Sequence, residues 1–172
     1  FMIMQSVGLY DTVTVEKTKG KKITLSCDEE GIPLNEKNIA YKAAVAFFKA
    51  NNIKDTGIHI DIKKRIPHAA GLAGGSADGA AVIVALNQIY KTNLNNKELC
   101  KIGVKIGADV PFCICGGTLL AQGIGEVLNP VKPLRKCFIL LAKPKTGVNT
   151  GNAFKAFDEN GKVHTPDKLG ML

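Results

Sequence analysis

A glycine-rich run between a strand-like and a helix-like segment constrains the fold of this chain more than any other feature. The run covers residues 67–80 and reads PHAAGLAGGSADGA. The preceding GIHIDIKKRIP alternates apolar and polar residues, which predicts a half-buried strand with Ile58, Ile60 and Ile62 on one face. The following ADGAAVIVALNQIY predicts an apolar helix. The predicted order is therefore strand, glycine loop, helix.

The glycine run has the chemistry of an anion site. Glycines permit positive φ, so successive backbone N–H groups can converge on one anion at the start of the next helix. The run contains neither the GxGxxG pattern nor a Gly-Lys-Ser/Thr sequence, so neither a dinucleotide-binding fold nor a P-loop is indicated. The residues alone leave two interpretations open, a phosphate site or a close-packing turn.

A second motif, GADVPF, occupies residues 107–112. An aspartate before a proline-containing turn is usually a helix cap or a turn former. The functional alternative is that Asp109 is a carboxylate held in a loop, where it can accept a proton from a substrate hydroxyl. Both interpretations of Asp109 stay open at this point.

The remaining pattern predicts one α+β unit with segregated strands and helices. Residues 2–27 contain the runs MIMQSVGLY, TVTVEK and KITLSC, which predict a small antiparallel sheet. Helices are expected after Asn38, after Asn95 and Asn96 with an end at Gly107, and near Thr150. Two further strands are expected in GTLLAQ and KCFILLAKP.

Composition narrows the classes of partner. The 172 residues carry a net charge of +8, which favours anionic partners, but only 6% are aromatic and none is Trp, so we expect small anions rather than nucleic acid. No apolar run is long enough to cross a membrane and no signal peptide is evident, which predicts a cytoplasmic protein without membrane contact. Five cysteines without zinc-site spacing are expected to be buried, reduced thiols.

The two motifs together resemble a known family. IPHAAGLAGGSADGAAVIVALNQIY resembles the second motif of the GHMP kinase superfamily. With IGADVPFCICGGTLLAQGIGEVL, MQSVGLYDTVTV, IPLNEKNIAYKAA and GVNTGNAF, the chain is similar to the 4-diphosphocytidyl-2-C-methyl-D-erythritol kinases over nearly its whole length. The implied fold is the GHMP kinase N-terminal lobe, of the ribosomal protein S5 domain 2-like type, over residues 1–145, with residues 146–172 starting a C-terminal lobe.

The resemblance also implies an activity, the transfer of the ATP γ-phosphate to the 2-hydroxyl of 4-diphosphocytidyl-2-C-methyl-D-erythritol, with Mg²⁺. It implies that Asp109 is the catalytic base, that Phe154 stacks on the cytosine and that Thr150 also contacts the substrate. Asn38 and Lys64 would line the adenine and ribose side, and Ser76 is a candidate metal ligand. The loop of Gly71, Leu72, Ala73, Gly74, Gly75 and Ser76 would wrap the ATP phosphates, and Pro67 and Ala70 are also implied to bind ATP. Read alone, Asn38 fits a helix cap, Lys64 a solvated strand-end charge and Phe154 a core residue.

The chain departs from the family pattern. Ala73, Ala77 and Gly79 stand where the family usually has Gly, Ser and Ala. The family's upstream strand with a catalytic lysine, its Gly-Tyr-His stretch and its third glycine-rich motif are not in this sequence. Because both ends look cut, we expect an incomplete lobe with little turnover of its own. The alternatives are a homoserine or mevalonate type of GHMP kinase and a non-catalytic nucleotide-binding module, with the oligomeric state left open.

Overall fold

The computed structural model describes residues 1–143 and 150–161. The chain divides into two compact units, Phe1–Leu140 and Leu141–Leu172. In the first unit the strands are β1 Met2–Gln5, β2 Thr12–Lys17, β3 Ile23–Cys27, β4 Ile58–Lys63, β5 Thr118–Gln122 and β6 Val127–Pro130. Its helices are α1 Ile39–Ala50, α2 Gly74–Ile89, α3 Asn96–Gly103 and α4 Val110–Cys115. The predicted α+β class is confirmed.

The strand before the glycine run lies at the centre of a mixed sheet ordered β2-β4-β3. β2 pairs with β4 antiparallel, and β3 pairs with β4 parallel. Ile58, Ile60 and Ile62 are all fully buried, which confirms the predicted alternation. These three residues pack into the core because successive side chains of a strand point to opposite faces.

The prediction that the three N-terminal strands form one antiparallel sheet is wrong. β1 leaves this group and pairs antiparallel with β5 in a second sheet ordered β1-β5-β6. β4 then inserts between β2 and β3, which therefore do not touch as partners. The reason is that strand pairing is a non-local choice, and β4 brings a fully buried isoleucine face between β2 and β3.

The second sheet contains one confirmed strand and one unexpected strand. β5 covers the predicted GTLLAQ run, whereas the strand expected in residues 136–144 is absent from residues 136–143. Phe138 and Leu140 in that segment are exposed, so its β-forming residues have no packed face to support a strand. Instead β6, Val127–Pro130, closes the sheet by pairing with β5.

Helices α1 and α2 bury the apolar face of the mixed sheet. The core combines alanines and phenylalanines of α1 with the β4 isoleucines and with Val82, Ile83 and Leu86 of α2. α2 begins at Gly74, three residues earlier than the apolar pattern predicts. α3 has the predicted Asn95 cap but ends at Gly103 rather than Gly107, with turns between them.

The second unit contains α5, Thr150–Asn160, at the position predicted for a helix. Whether the two units correspond to the two expected lobes stays a prediction. Among residues 1–143 and 150–161, none of the helices combines the length and the hydrophobicity that a membrane span requires. All five cysteines lie in these ranges and are free thiols, but the expectation that they are buried is wrong, because Cys115 and Cys137 are exposed and the other three are half-buried.

Candidate functional site

The glycine-rich segment ends in a helix start that presents free backbone donors. Ala69, Gly71 and Ala73 have φ angles of 53°, 69° and 53°, so alternate residues adopt the left-handed conformation. Ala73 is the N-cap of α2 and offers no side-chain hydrogen bond, and the N–H of Ala77 bonds to the Ala73 carbonyl at 2.8 Å. The preceding N–H groups of the helix have no intrahelical acceptor and suit an anion.

The glycines of this segment fit both interpretations that the sequence left open, a phosphate site and a close-packing turn. A Cβ atom on Gly74 would lie 3.1 Å from Ile66 Cγ2, and one on Gly75 would lie 3.2 Å from Ile39 Cδ1. These two glycines permit close packing of α2 on its neighbours. A Cβ atom on Gly71 would meet no described atom within 4 Å, so the space beside Gly71 is open. Gly71 needs its missing side chain for its positive φ and not for packing.

The second motif lies beside the start of α2. A Cβ atom on Gly107 would lie 3.9 Å from Ser76 Oγ, which brings the loop before Asp109 next to the first turn of α2. Asp109 is the N-cap residue of α4, but its side chain makes no capping hydrogen bond. The carboxylate is half-buried. Asp109 is therefore a cap by position, and its carboxylate stays available for other chemistry.

Three buried, charged side chains, Lys64, Asp11 and Asp78, lie next to the glycine segment and form an ion triad. Lys64 Nζ, at the end of β4, pairs with Asp11 and also with Asp78 Oδ2, the latter at 2.8 Å. The three side chains are 6%, 3% and 6% exposed, respectively. The interpretation of Lys64 as a solvated strand-end charge is therefore wrong. Asp11 Oδ1 also accepts from the N–H of Arg65 and Ile66, at 2.6 and 2.8 Å.

Asp78 has fewer hydrogen-bond partners than the other carboxylate of this triad, Asp11. Its Oδ1 is buried and has no hydrogen-bond partner among the described residues. Burial raises the pKa of Asp78 to about 6, with Asp11 adding to the rise and Lys64 opposing it. For Lys64, burial acts to lower the pKa, but the two carboxylates outweigh it and the pKa is raised. For Asp11, burial acts to raise the pKa, but the Arg65 and Ile66 N–H groups and Lys64 hold it below its usual value.

Two carboxylates also surround Cys113 on α4. Burial, Asp109 and Asp78 together raise the pKa of Cys113 to about 11. A cavity of about 310 Å³ opens beside this group, with Asp11, Asp78 and Cys113 in its wall next to Leu72 and Ala73 of the glycine segment. The glycine segment, the triad and α4 therefore border one space.

Sequence reasoning missed most of the triad. Asp11 lies in the family-like stretch MQSVGLYDTVTV, but an aspartate between two strand-like runs is typical of a turn, and no sequence pattern pairs it with Lys64. The only available signal at Asp78 was a carboxylate one turn inside an otherwise apolar helix. A charge at such a position requires a partner when the helix is packed on both sides.

The other implied site residues are placed as follows. Asn38 is 8% exposed and is a helix cap, since its Oδ1 accepts from the Ala40 N–H and its Nδ2 donates to the Pro33 carbonyl, each at 2.8 Å. Pro67 is exposed and Ala70 is half-buried, both before α2. Phe154 of α5 is exposed rather than in a core, and Thr150 is the first residue of α5. Their roles towards nucleotide or substrate stay predictions.

The site offers oxygen donors for Mg²⁺, but its described residues do not form a complete set of protein ligands for the ion. The described residues contain no group of three or more His, Cys, Asp or Glu side chains that could hold a metal ion. Mg²⁺ commonly takes only one or two protein oxygens and completes its octahedron with phosphate oxygens and water. The Ser76 hydroxyl, beside Gly107 on the first turn of α2, fits such a minimal donor set.

Comparison with known proteins identifies the fold and the family. Residues 38–117 match the family model described as the GHMP kinases N terminal domain. A Clostridium perfringens protein named 4-diphosphocytidyl-2-C-methyl-D-erythritol kinase is 48% identical over 92% of this chain. A protein of the same name from Clostridium acetobutylicum is 46% identical over 99% of the chain. The chain covers 55% and 60% of these two relatives, respectively.

Solved structures agree with the sequence relatives. A crystal structure of 4-(cytidine 5'-diphospho)-2C-methyl-D-erythritol kinase superposes with a TM-score of 0.58 at 35% identity, covering 70% of this chain and 41% of that one. A homoserine kinase from Cytophaga hutchinsonii has a TM-score of 0.66 at 23% identity, covering 84% of this chain and 50% of that one, and shows the fold alone. The chain belongs to the GHMP kinases, in the family whose curated members are named 4-diphosphocytidyl-2-C-methyl-D-erythritol kinase.

Proposed function

We propose that this chain supplies the ATP-binding part of a kinase that phosphorylates the 2-hydroxyl of 4-diphosphocytidyl-2-C-methyl-D-erythritol, in the non-mevalonate route to isoprenoid precursors. The observation that carries the proposal is the juxtaposition of the α2 helix start with the loop that holds Asp109, through Ser76 and Gly107. The names of the relatives supply the substrate.

The phosphates of ATP would lie over the left-handed residues of the glycine segment and the first turn of α2. Backbone N–H groups at a helix start bind phosphate through direct hydrogen bonds and the positive end of the helix dipole. The open space beside Gly71 leaves room for the nucleotide. Asn38 and Lys64 are proposed for the adenine and ribose side, where Lys64 would act while held by its two carboxylates.

Asp109 is proposed as the group that orients the substrate hydroxyl and accepts its proton. Phosphoryl transfer needs an aligned nucleophile and neutralised charge more than covalent chemistry, so one carboxylate beside a phosphate cradle is sufficient protein machinery. Its carboxylate makes no capping bond that would compete for the proton. Phe154 is proposed to stack on the cytosine, with Thr150 also in contact with the substrate.

Mg²⁺ is proposed as the metal, because the phosphates of ATP require neutralisation during transfer. When bound, the ion would neutralise charge that develops on the phosphate oxygens. Ser76 would hold it together with those oxygens. The cytoplasm is the proposed compartment, since ATP is available there.

The test is ADP release from Mg-ATP with 4-diphosphocytidyl-2-C-methyl-D-erythritol, homoserine and mevalonate in parallel. It is run on the 172-residue chain and on the full product of its gene, because the chain spans 55–60% of the relatives' length. ADP release with the cytidyl substrate alone supports the proposal. ADP release with homoserine or mevalonate instead would indicate a GHMP kinase of another substrate type. ATP binding by equilibrium dialysis without ADP release for any substrate indicates a non-catalytic nucleotide-binding module.

A further inference from the structure

Two cysteines that the proposed function does not use lie face to face on adjacent helices. Cys100 is in α3 and Cys115 is the last residue of α4, and their Sγ atoms are 3.6 Å apart. We propose that Cys100 and Cys115 form a reversible intramolecular disulfide when the protein meets a peroxide. This modification site is independent of the nucleotide and substrate assignments.

Close packing of the two helices holds the sulfur atoms in position. A Cβ atom on Gly103, one turn after Cys100, would lie 2.8 Å from Val110 Cγ1 and 3.1 Å from Ile114 Cδ1. Glycine therefore brings α3 and α4 together at this point. The Cys100 thiol also lies 3.6 Å from the Pro111 carbonyl. A disulfide needs an S–S separation of about 2.05 Å, so the sulfurs must approach by about 1.5 Å, which side-chain rotation can provide without separating the helices.

The two thiols differ in their exposure to solvent, and this difference determines which of them reacts with the peroxide first. Cys115 is exposed at the end of α4, whereas Cys100 is half-buried, and burial together with the neighbouring Cys115 raises the pKa of Cys100 to about 12. Cys115 therefore meets the oxidant first. Cys100 is protected from direct oxidation but remains within reach of the product formed on Cys115.

The chemistry balances with one peroxide. The Cys115 thiolate attacks one oxygen of hydrogen peroxide, the O–O bond breaks, and the released hydroxide takes a proton to become water, leaving a sulfenic acid on Cys115. Cys100 gives its proton to the hydroxide that leaves this sulfenic acid as the S–S bond forms. Two thiols and one hydrogen peroxide thus become one disulfide and two waters, and an added dithiol reverses the process.

The crosslink would restrain a segment next to the candidate base. It joins α3 to the far end of α4, and Asp109 is the N-cap of α4. The bond closes a loop between residues 15 apart in sequence. Such a loop restricts the unfolded chain, so the oxidised protein should unfold at a higher temperature, by on the order of 5 °C, than the reduced protein.

The test treats the reduced full chain with one equivalent of hydrogen peroxide, blocks free thiols under denaturing conditions and maps linked peptides by mass spectrometry. We expect a Cys100–Cys115 link in most molecules, a loss of two hydrogens in mass, and full reversal by dithiothreitol. Cys115→Ser and Cys100→Ser should each abolish the link and the thermal shift. Cys137→Ser, which removes the other exposed thiol, is the matched control and should leave both unchanged.

Three results would overturn the proposal. They are a link of Cys115 to Cys113, a link between two chains through Cys137, and accumulation of Cys115 sulfinic acid with Cys100 still free. Peptide mapping of the unsubstituted protein distinguishes all three from the expected link, so the test does not depend on the folding of a variant. ADP release plays no part in these readouts, and failure here therefore leaves the proposed kinase activity untouched.

Discussion

Lys64 Nζ donates a hydrogen bond to Asp78 Oδ2 across 2.8 Å, which joins the end of β4 to the second turn of α2. The same ammonium pairs with Asp11, immediately before β2. The segment between Lys64 and Asp78 contains most of the glycine-rich run, including its left-handed residues. The triad therefore fixes both ends of this segment, and it holds the start of α2 in place relative to the mixed sheet.

Replacing Lys64 by Met should strongly destabilise the protein. The variant leaves two buried carboxylates without their cation, and breaking a buried ion pair from one side costs about 3–5 kcal/mol. Urea denaturation of Lys64→Met and of Lys63→Met measures the effect. Lys63 is the adjacent, exposed strand-end residue, so its substitution should change the free energy of unfolding by less than about 0.5 kcal/mol. Equal stability of the two variants would show that the triad does not hold the fold.

Asp78 should give the stability a specific pH dependence. Its pKa in the folded protein is about 6, above the ordinary value of 3.8, so the folded state binds this proton more tightly than the unfolded state. The stabilisation from this proton is complete below pH 3.8 and is lost as the pH rises through 6. Asp11, whose pKa is lowered, acts with the opposite sign and loses its contribution as the pH falls.

Comparison with Asp78→Asn isolates this contribution, because the amide does not titrate. Between pH 4 and 7, the free energy of unfolding of the unsubstituted protein should fall relative to that of Asp78→Asn. Denaturant titrations at several pH values provide the measurement. A difference between the two proteins that stays constant over this range would mean that Asp78 is ionised in the folded state throughout.

Local periodicity in the sequence was sufficient to predict the elements that carry the site, but not their partners. The alternation in β4 and the Asn38 cap of α1 are properties of a few consecutive residues, and both are observed. The pairing of β1 with β5 joins residues more than a hundred positions apart, and no local pattern specifies it. Sheet partners are selected by burial in the complete fold, which is why the predicted N-terminal sheet was wrong.

The same contrast holds for the site: its local motifs could be predicted from the sequence, but the contacts between residues distant in sequence could not. The glycine run and the Asp109 motif were visible as sequence patterns, whereas the pairing of Asp11 with Lys64 brings together residues 53 positions apart. Lys64 precedes the glycine run and Asp78 lies near its C-terminal end, yet only the helix start at Gly74 brings Asp78 towards β4. The predicted start of that helix was late because Gly and Ser have low helix propensity, which packing of α2 overrides.

Ala73→Gly should stabilise the protein. Ala73 has a φ of 53°, and an alanine in the left-handed region costs about 1–2 kcal/mol, which glycine would remove. Part of this gain is offset because glycine has more conformational freedom in the unfolded chain. We expect a net gain of about 0.5–1 kcal/mol in the free energy of unfolding, measured by urea denaturation. Ala77→Gly is the matched control in the first turns of α2 and should be destabilising by up to about 1 kcal/mol. A loss of stability in Ala73→Gly would contradict the left-handed assignment.

Asp109→Asn should separate catalysis from folding in the full product of the gene. The side chain makes no capping hydrogen bond, so the amide should leave the melting temperature within about 1–2 °C of the unsubstituted value. Loss of a general base should lower kcat by about 10²–10⁴-fold. KM for ATP should change little, because the phosphates are assigned to the glycine segment and α2.

Asp55→Asn is the control, since Asp55 is exposed near the opposite end of β4, and it should keep full activity. A kcat within threefold of the unsubstituted enzyme would remove Asp109 from the base role, whereas a matching fall in melting temperature would show that Asp109 acts through structure.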